Sequence, residues 1–390
     1  MKRIILIVSL LVAGFGVSAQ QDTITSQSLF DQLAKMEKRT DKFNFFLNMN
    51  SSFDSKFVDG KYQKSNFNVR QLRIEAKGNL NNWLSYRWRQ RLNRPNNSSG
   101  NIDNMPTSID IAGIGVKLTD KLSMFAGKQC AAYGGIEFDL NPIEIYEYSD
   151  MIDYMSNFMT GVNFAYDITP EHQLQLQILN SQNNSFQDTY TVPANIEESK
   201  QPLVYTLNWN GSFFDGAYKT RWSASLMSQA KEKELYYYAF GNDITVNNKY
   251  NLFLDVMYSV EGIDRTGIIS DMIDGSNLGG LGRDAYDSKY LSFVGKINYR
   301  VQPQWNVFVK GMYETASLSK ANGIFEDGKY RNSIGYLTGL EYYPMEKNLH
   351  FFLTYVGRSY KYEDAAKQMG FKDYTTDRIS VGFIYQLPMF

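Results

Sequence analysis

Residues Trp83 to Leu92 read Trp-Leu-Ser-Tyr-Arg-Trp-Arg-Gln-Arg-Leu. Leu84, Tyr86, Trp88 and Leu92 fall on one phase of a two-residue period, broken only by Gln90, and Arg87, Arg89 and Arg91 fall on the other. A strand sends alternate side chains to opposite faces, so one face of this segment is apolar and aromatic and the other carries three cations. A soluble sandwich would bury the apolar face in its core. A membrane barrel would turn that face to lipid and the arginines to a water-filled lumen. The rest of the chain has to decide between them.

The first residues have the layout of an export signal. Lys2 and Arg3 precede an apolar run, Ile4 to Val17, that is too short to span a bilayer, where a helix needs about 20 residues. Val17-Ser18-Ala19 is a small-residue cleavage site, which makes 1–19 a signal peptide removed after Ala19. No later apolar run is long enough for a helical span. The composition is unusual for a soluble enzyme: 28 Tyr and 25 Phe stand beside 9 Pro, 2 His and 1 Cys, and mean hydropathy is −0.39. A barrel reconciles abundant aromatics with low hydropathy, because half of each strand meets water and aromatic girdles mark both interfaces. A net charge of −1 provides no field for nucleic acid. The lone Cys130 excludes an internal disulfide framework.

Residues 20–42 hold the one helical pattern, over Thr25 to Lys42, with Leu29, Leu33 and Met36 as a narrow apolar stripe. Two readings stay open: a short periplasmic coiled coil joining protomers, or a helix packed on its own barrel rim. From Phe43 to residue 390 the period is two. Phe43, Phe45, Leu47 and Met49 alternate with polar residues, as do Leu72, Ile74 and Ala76 with Arg73, Glu75 and Lys77; similar runs continue to Ile379, Val381, Phe383, Tyr385 and Leu387. Connections alternate between short turns (near 79–82, 119–121, 167–172, 210–216, 241–249, 301–304 and 343–348) and long polar stretches (near 54–66, 93–108, 129–158, 181–201, 260–289, 315–332 and 358–375). The stretch near 228–234 is the weak member of the long set. This segregation of loop length is that of a transmembrane barrel and not of a propeller or sandwich. The fold expected is all-β: a transmembrane antiparallel β-barrel of about 16 strands behind a short N-terminal periplasmic helix.

With the apolar phase outward, Arg73, Lys77, Arg87, Arg89 and Arg91 point inward from two neighbouring strands and form a cationic wall. Lys128, Lys219, Arg221 and Lys310 extend it on a less certain phase. The competing reading is simple pairing with lumenal acids such as Glu75. The loop near 129–158 carries Glu137, Asp139, Glu144, Glu147, Asp150 and Asp153, and Gly134-Gly135 provides a sharp bend. Folded into the barrel opposite the basic wall, it would narrow the pore and set up a transverse field. Catalytic or metal-binding signatures are missing: neither His172 nor His350 accompanies a triad, there is no HExxH, CxxC, P-loop or GxSxG motif, and the Asp271 to Gly275 stretch lacks calcium-loop spacing. No cofactor, metal site or catalytic residue is expected.

These residues resemble the phosphate-selective porin O and P family. The likeness rests on the helix leading into Lys42-Phe43-Asn44, on Phe67-Asn68-Val69-Arg70-Gln71-Leu72-Arg73-Ile74, and on Phe125-Ala126-Gly127-Lys128-Gln129 followed by Gly134-Gly135-Ile136-Glu137. The resemblance implies a 16-stranded homotrimeric porin of a Gram-negative outer membrane. It also implies passage of small hydrophilic or anionic solutes, phosphate among them, with the lipid bilayer, lipopolysaccharide and the barrel-assembly machinery as partners. Its anion-specific members have a longer arginine ladder; here the loop is acidic and the second half of the chain is expected to add few inward cations. Phe390 resembles the terminal aromatic residue read during membrane insertion. It lies off the phase of Ile379 to Leu387 and Pro388 interrupts the strand; a bulge would reconcile the two phases. The alternative function is a structural or adhesive barrel with a closed lumen. A secreted soluble sandwich is the third reading, and it differs in needing no detergent.

Overall fold

The computed structural model describes residues 42–389 apart from 97–100, 192–194, 248, 279–283, 322 and 346–347. The signal peptide, residues 25–41 of the expected helix and Phe390 lie outside the described residues. Sixteen strands follow one another: β1 (Asn44–Val58), β2 (Lys61–Asn79), β3 (Leu84–Arg91), β4 (Ile109–Lys117), β5 (Leu122–Cys130), β6 (Phe158–Thr169), β7 (His172–Asn180) and β8 (Leu203–Phe213) make the first half. The second half is β9 (Tyr218–Ala230), β10 (Lys233–Val246), β11 (Tyr250–Ile263), β12 (Tyr286–Gln302), β13 (Trp305–Leu318), β14 (Gly328–Tyr342), β15 (Leu349–Tyr362) and β16 (Tyr374–Pro388). Each pairs antiparallel with its chain neighbours, and β1 pairs with β16 to close the barrel. Closure leaves no sheet edge within the bilayer, where an unpaired backbone group would be costly.

The two-residue period sorts the side chains by solvent. Leu207, Leu254, Ile297, Val309, Leu353 and Val381 lie on the outer face, each about half exposed in the isolated chain. Asn48, Asn50, Ser52, Thr206, Ser223 and Ser225 of the alternate phase are buried inside. Aromatic pairs band the outer surface near the short-turn rim, with Trp209 against Trp222 (ring centroids 5.2 Å apart), Tyr250 on Tyr299 (4.8 Å) and Trp305 on Tyr342 (4.7 Å). Such rings sit where headgroups meet acyl chains.

Two connections differ from the expected alternation. The stretch near 54–66 is strand almost throughout: β1 and β2 continue to a two-residue turn, Asp59-Gly60, with φ of 49° and 71°. Both central residues are left-handed, the backbone that an Asp-Gly pair favours in a tight hairpin. The weak stretch near 228–234 likewise reduces to Lys231-Glu232 between β9 and β10. Among the described residues β16 shows no bulge against β1: the two stay in register from Val58↔Thr376 to Phe46↔Pro388, and Phe390 lies beyond them.

Leu207→Arg, on the outer face at mid-strand, is expected to cost about 2–4 kcal/mol of barrel stability. Val58→Arg, beside the tip of the β1–β2 hairpin, is expected to change stability little. Urea titration of each variant in vesicles measures both.

Candidate permeation pathway

The loop after β5 turns into the barrel. Its entry is Gly134-Gly135, with φ of 73° and 86°. A Cβ on Gly134 would lie 2.7 Å from Ser223 Oγ, and one on Gly241 of β10 would lie 2.7 Å from the Gly135 Cα, so the glycines on both sides permit the backbones to approach. Beyond the bend come helix α1 (Ile136–Asp139), a 3₁₀ turn (Pro142–Glu144) and helix α2 (Asp150–Tyr154). Their apolar side chains pack on inward residues of the second-half strands: Tyr146 stacks on Phe308 (5.3 Å) and meets Phe352 (4.8 Å), and Tyr133 meets Tyr237 (5.5 Å).

Two buried carboxylates hold the loop's helical turns. Asp255 of β11 accepts from the backbone N–H groups of Ile136 (2.8 Å) and Glu137 (2.7 Å). Glu314 of β13 accepts from those of Asp150 (2.8 Å) and Met151 (3.0 Å). Each supplies acceptors to helix-start donors that have no partner within the helix. Asn50 Nδ2 donates to the Ile143 carbonyl (2.9 Å), Gln71 Nε2 to that of Pro142 (2.8 Å), and Tyr146 Oη to Glu341 (2.8 Å).

Among the described residues, four of the six expected loop acids pair with cations of the later strands. Glu137 is fully buried and meets Lys310 of β13. Asp139 pairs with Arg221 of β9 (3.2 Å), and Glu144 accepts from Gln386 Nε2 (3.0 Å). Glu147 pairs with Arg358 (3.4 Å) and Arg378 (3.0 Å), and Asp150 with Arg331 and Arg358. This corrects two expectations. The second half of the chain does supply inward cations, and the loop's paired acids are committed to them instead of facing the basic wall as free charge. Asp255, Glu314, Arg331, Arg358 and Arg378 were not among the expected site residues. Their signal in the sequence is a charge on the inward phase of an apolar strand, as in Leu254-Asp255-Val256.

The five basic residues of β2 and β3 meet across the strand pair. Arg73 lies opposite Arg91, Glu75 opposite Arg89 and Lys77 opposite Arg87 across β2 and β3. Glu75 takes Arg87 (2.8 Å) and Lys77 (3.9 Å), and Asp110 of β4 takes Arg89 (3.3 Å) and Arg91 (2.8 Å). Arg73 is 2% exposed and donates to amide oxygens, those of Gln71 and Asn141. Among the described residues, four of these cations thus gather on two carboxylates, and Arg73 rests on amide oxygens. The inward loop and its exit add Asn141 and the ring of Phe158, over which Arg89 and Arg91 lie at 5.1 and 5.8 Å.

Lys128 is not on this wall. It shares a register row with Trp88, Ala112 and Thr160, the face opposite to Arg87, and its Nζ pairs with Asp103 (3.3 Å) of the β3–β4 loop. Its even number places it in phase with Leu122 and Met124, so the alternation itself sends it outward. Between the basic wall and the loop lies a cavity of about 880 Å³, lined by Arg87, Arg89, Asp139, Tyr148, Gln175 and Asn208 among others. It reaches the short turns at 79–84 and 119–122 on one rim.

Residues 43–387 match the family described as phosphate-selective porin O and P. The chain belongs to this family. Its structure is similar to the outer-membrane channel DcaP of Acinetobacter baumannii (12% identity over 90% of this chain and 99% of that one, TM-score 0.60). It is also similar to OmpT of Vibrio cholerae (11%, 88% and 97%, TM-score 0.54) and to OmpF of Salmonella typhi in complex with daunomycin (15%, 87% and 97%, TM-score 0.53). At these identities the likeness is one of fold. No curated protein shows a significant match. Family and closed barrel together make this an outer-membrane porin.

Replacing Asp255 and Glu314 together by Ala strands four backbone donors, each bond to a charged acceptor being worth about 1.5–3 kcal/mol. Limited proteolysis of the folded double variant is expected to cut within 136–154 at least tenfold faster than the parent.

Proposed function

We propose that the protein is a passive diffusion channel that favours anions. One observation carries the reading: among the described residues Arg73, Lys77, Arg87, Arg89 and Arg91 gather on two neighbouring strands around the carboxylates of Glu75 and Asp110, while the loop's Glu137, Asp139, Glu147 and Asp150 are matched by cations of the later strands. The excess positive charge belongs to the wall beside the cavity, and a water-filled channel lined by one sign of charge concentrates the opposite ion. Phosphate falls within this class. The closed adhesive barrel requires lumenal charges that cancel, and among the described residues β2 and β3 bring more cations than acids to this wall.

Several further properties follow from the same reading. Export uses the segment before Ala19 and delivers the chain through the barrel-assembly machinery to a bilayer faced by lipopolysaccharide, with Phe390 as the insertion signal. The protein assembles as a homotrimer, the form in which OmpT of Vibrio cholerae, a structure of the same fold, has been described. The inward loop acts as the constriction.

In planar bilayers under a potassium chloride gradient the reversal potential is expected to show chloride preferred over potassium. Arg87→Gln with Arg89→Gln is expected to lower that preference several-fold. A cation-selective parent channel would overturn the anion reading.

A further inference from the structure

The ion pairs around the cavity are oriented, and its two sides are oriented oppositely. On the basic wall the cations stand in front. Arg87 and Arg89 line the cavity with side chains 10% and 8% exposed, and their partners Glu75 and Asp110 lie behind them at 5% and 1%, outside the lining. On the other side the acid stands in front. Asp139, at the end of α1, pairs with Arg221 of β9 (3.2 Å), and here the carboxylate is 24% exposed and the guanidinium 3%. Both residues line the cavity.

Local packing sets this order. Arg221 lies between Asn210 of β8 and Gly241 of β10 in the sheet. The loop entry passes over it, with the Gly135 N–H donating to the Arg221 carbonyl (3.0 Å). Arg221 Nη1 donates to the Thr220 carbonyl (2.7 Å), and its Nε faces Asp139 Oδ2. The bend at Gly134-Gly135 thus covers the guanidinium and leaves Asp139, one helical turn further on, toward the open space. The other carboxylates of the lining belong to the short-turn rim, where Asp120 pairs with Lys117 (2.8 Å) and Asp167 accepts from Gln173 Nε2 (2.8 Å).

An ion pair cancels only at distances large against its own separation, so a solute close to the wall feels the nearer partner most. An anion moving along the arginines therefore has a carboxylate on its other side. We propose that Asp139 is a specificity-determining residue of the channel: it holds down the preference for anions, and most for those of higher charge. The inference rests on the porin reading and refines its selectivity, toward singly charged anions over dianions such as sulfate or hydrogen phosphate.

The test is the reversal potential of the full-length protein in planar bilayers, under gradients of potassium chloride and of potassium sulfate. Asp139→Asn with Arg221→Gln removes one charge of each sign, and heat-modifiable gel migration checks its folding. Because the carboxylate is the nearer charge, the double variant is expected to raise chloride over potassium about threefold and sulfate over potassium about fivefold, since the same change in potential acts on both ions of a salt and twice on a divalent one. Ratios equal to the parent's mean that the pair cancels, lower ratios mean that the guanidinium faces the path, and either result overturns the proposal. Asp139→Asn alone is expected to raise both ratios further, and no rise there overturns it as well. A protein that carries no current overturns the porin reading itself, and a parent that prefers potassium overturns the anion reading while the order of the variants still judges Asp139.

Discussion

The carboxylates of Asp255 and Glu314 each receive two backbone N–H groups from the loop after β5, and the layout of the lumen depends on that grip. The loop's helical turns are four and five residues long, too short to persist in water by themselves. The far wall supplies acceptors at both helix starts, an aromatic floor at Phe308 and Phe352, and cations for the loop's acids. Loop and later strands thereby pack together, and the cavity of about 880 Å³ lies toward β2 to β9.

The buried ion pairs within that body specify position more than they add stability. Removing two charges from water costs several kcal/mol per ion, and a pair at best offsets this, whereas breaking one leaves a charge stranded at a cost of about 3–5 kcal/mol. Glu137 therefore tolerates one placement, beside Lys310 and Ser149, and Asp150 one placement, between Arg331 and Arg358. Electrostatically, the acids that are close together in sequence are spent against cations distant in sequence. In the proposed reading, the basic wall of β2 and β3 is what gives the channel its preference for anions.

Much of the barrel is legible in the sequence because strand phase is a local property. Arg87, Arg89 and Arg91 face inward for the reason visible in the ten residues that contain them. The inward bend at Gly134-Gly135 is legible as well, since two consecutive glycines mark a backbone of positive φ. Pairings across the lumen are not legible: Glu137 and Lys310 are 173 residues apart, and no spacing rule joins them. Other differences come from signals present but outweighed. The polar stretch near 54–66 contains Asp59-Gly60, a tight-turn pair, yet polarity reads as loop where strands rise beyond the bilayer. Lys128 reads as lumenal by charge although its phase places it outside, where Asp103 covers it.

The central claim is that the 131–157 loop is anchored inside the barrel by the later strands. Hydrogen exchange of the folded protein, resolved at single amides, tests it most directly. The backbone N–H groups of Ile136, Glu137, Asp150 and Met151 are predicted to exchange as slowly as those of the strands that hold them. Exchange as fast as that of the exposed connection between β13 and β14 would contradict the account.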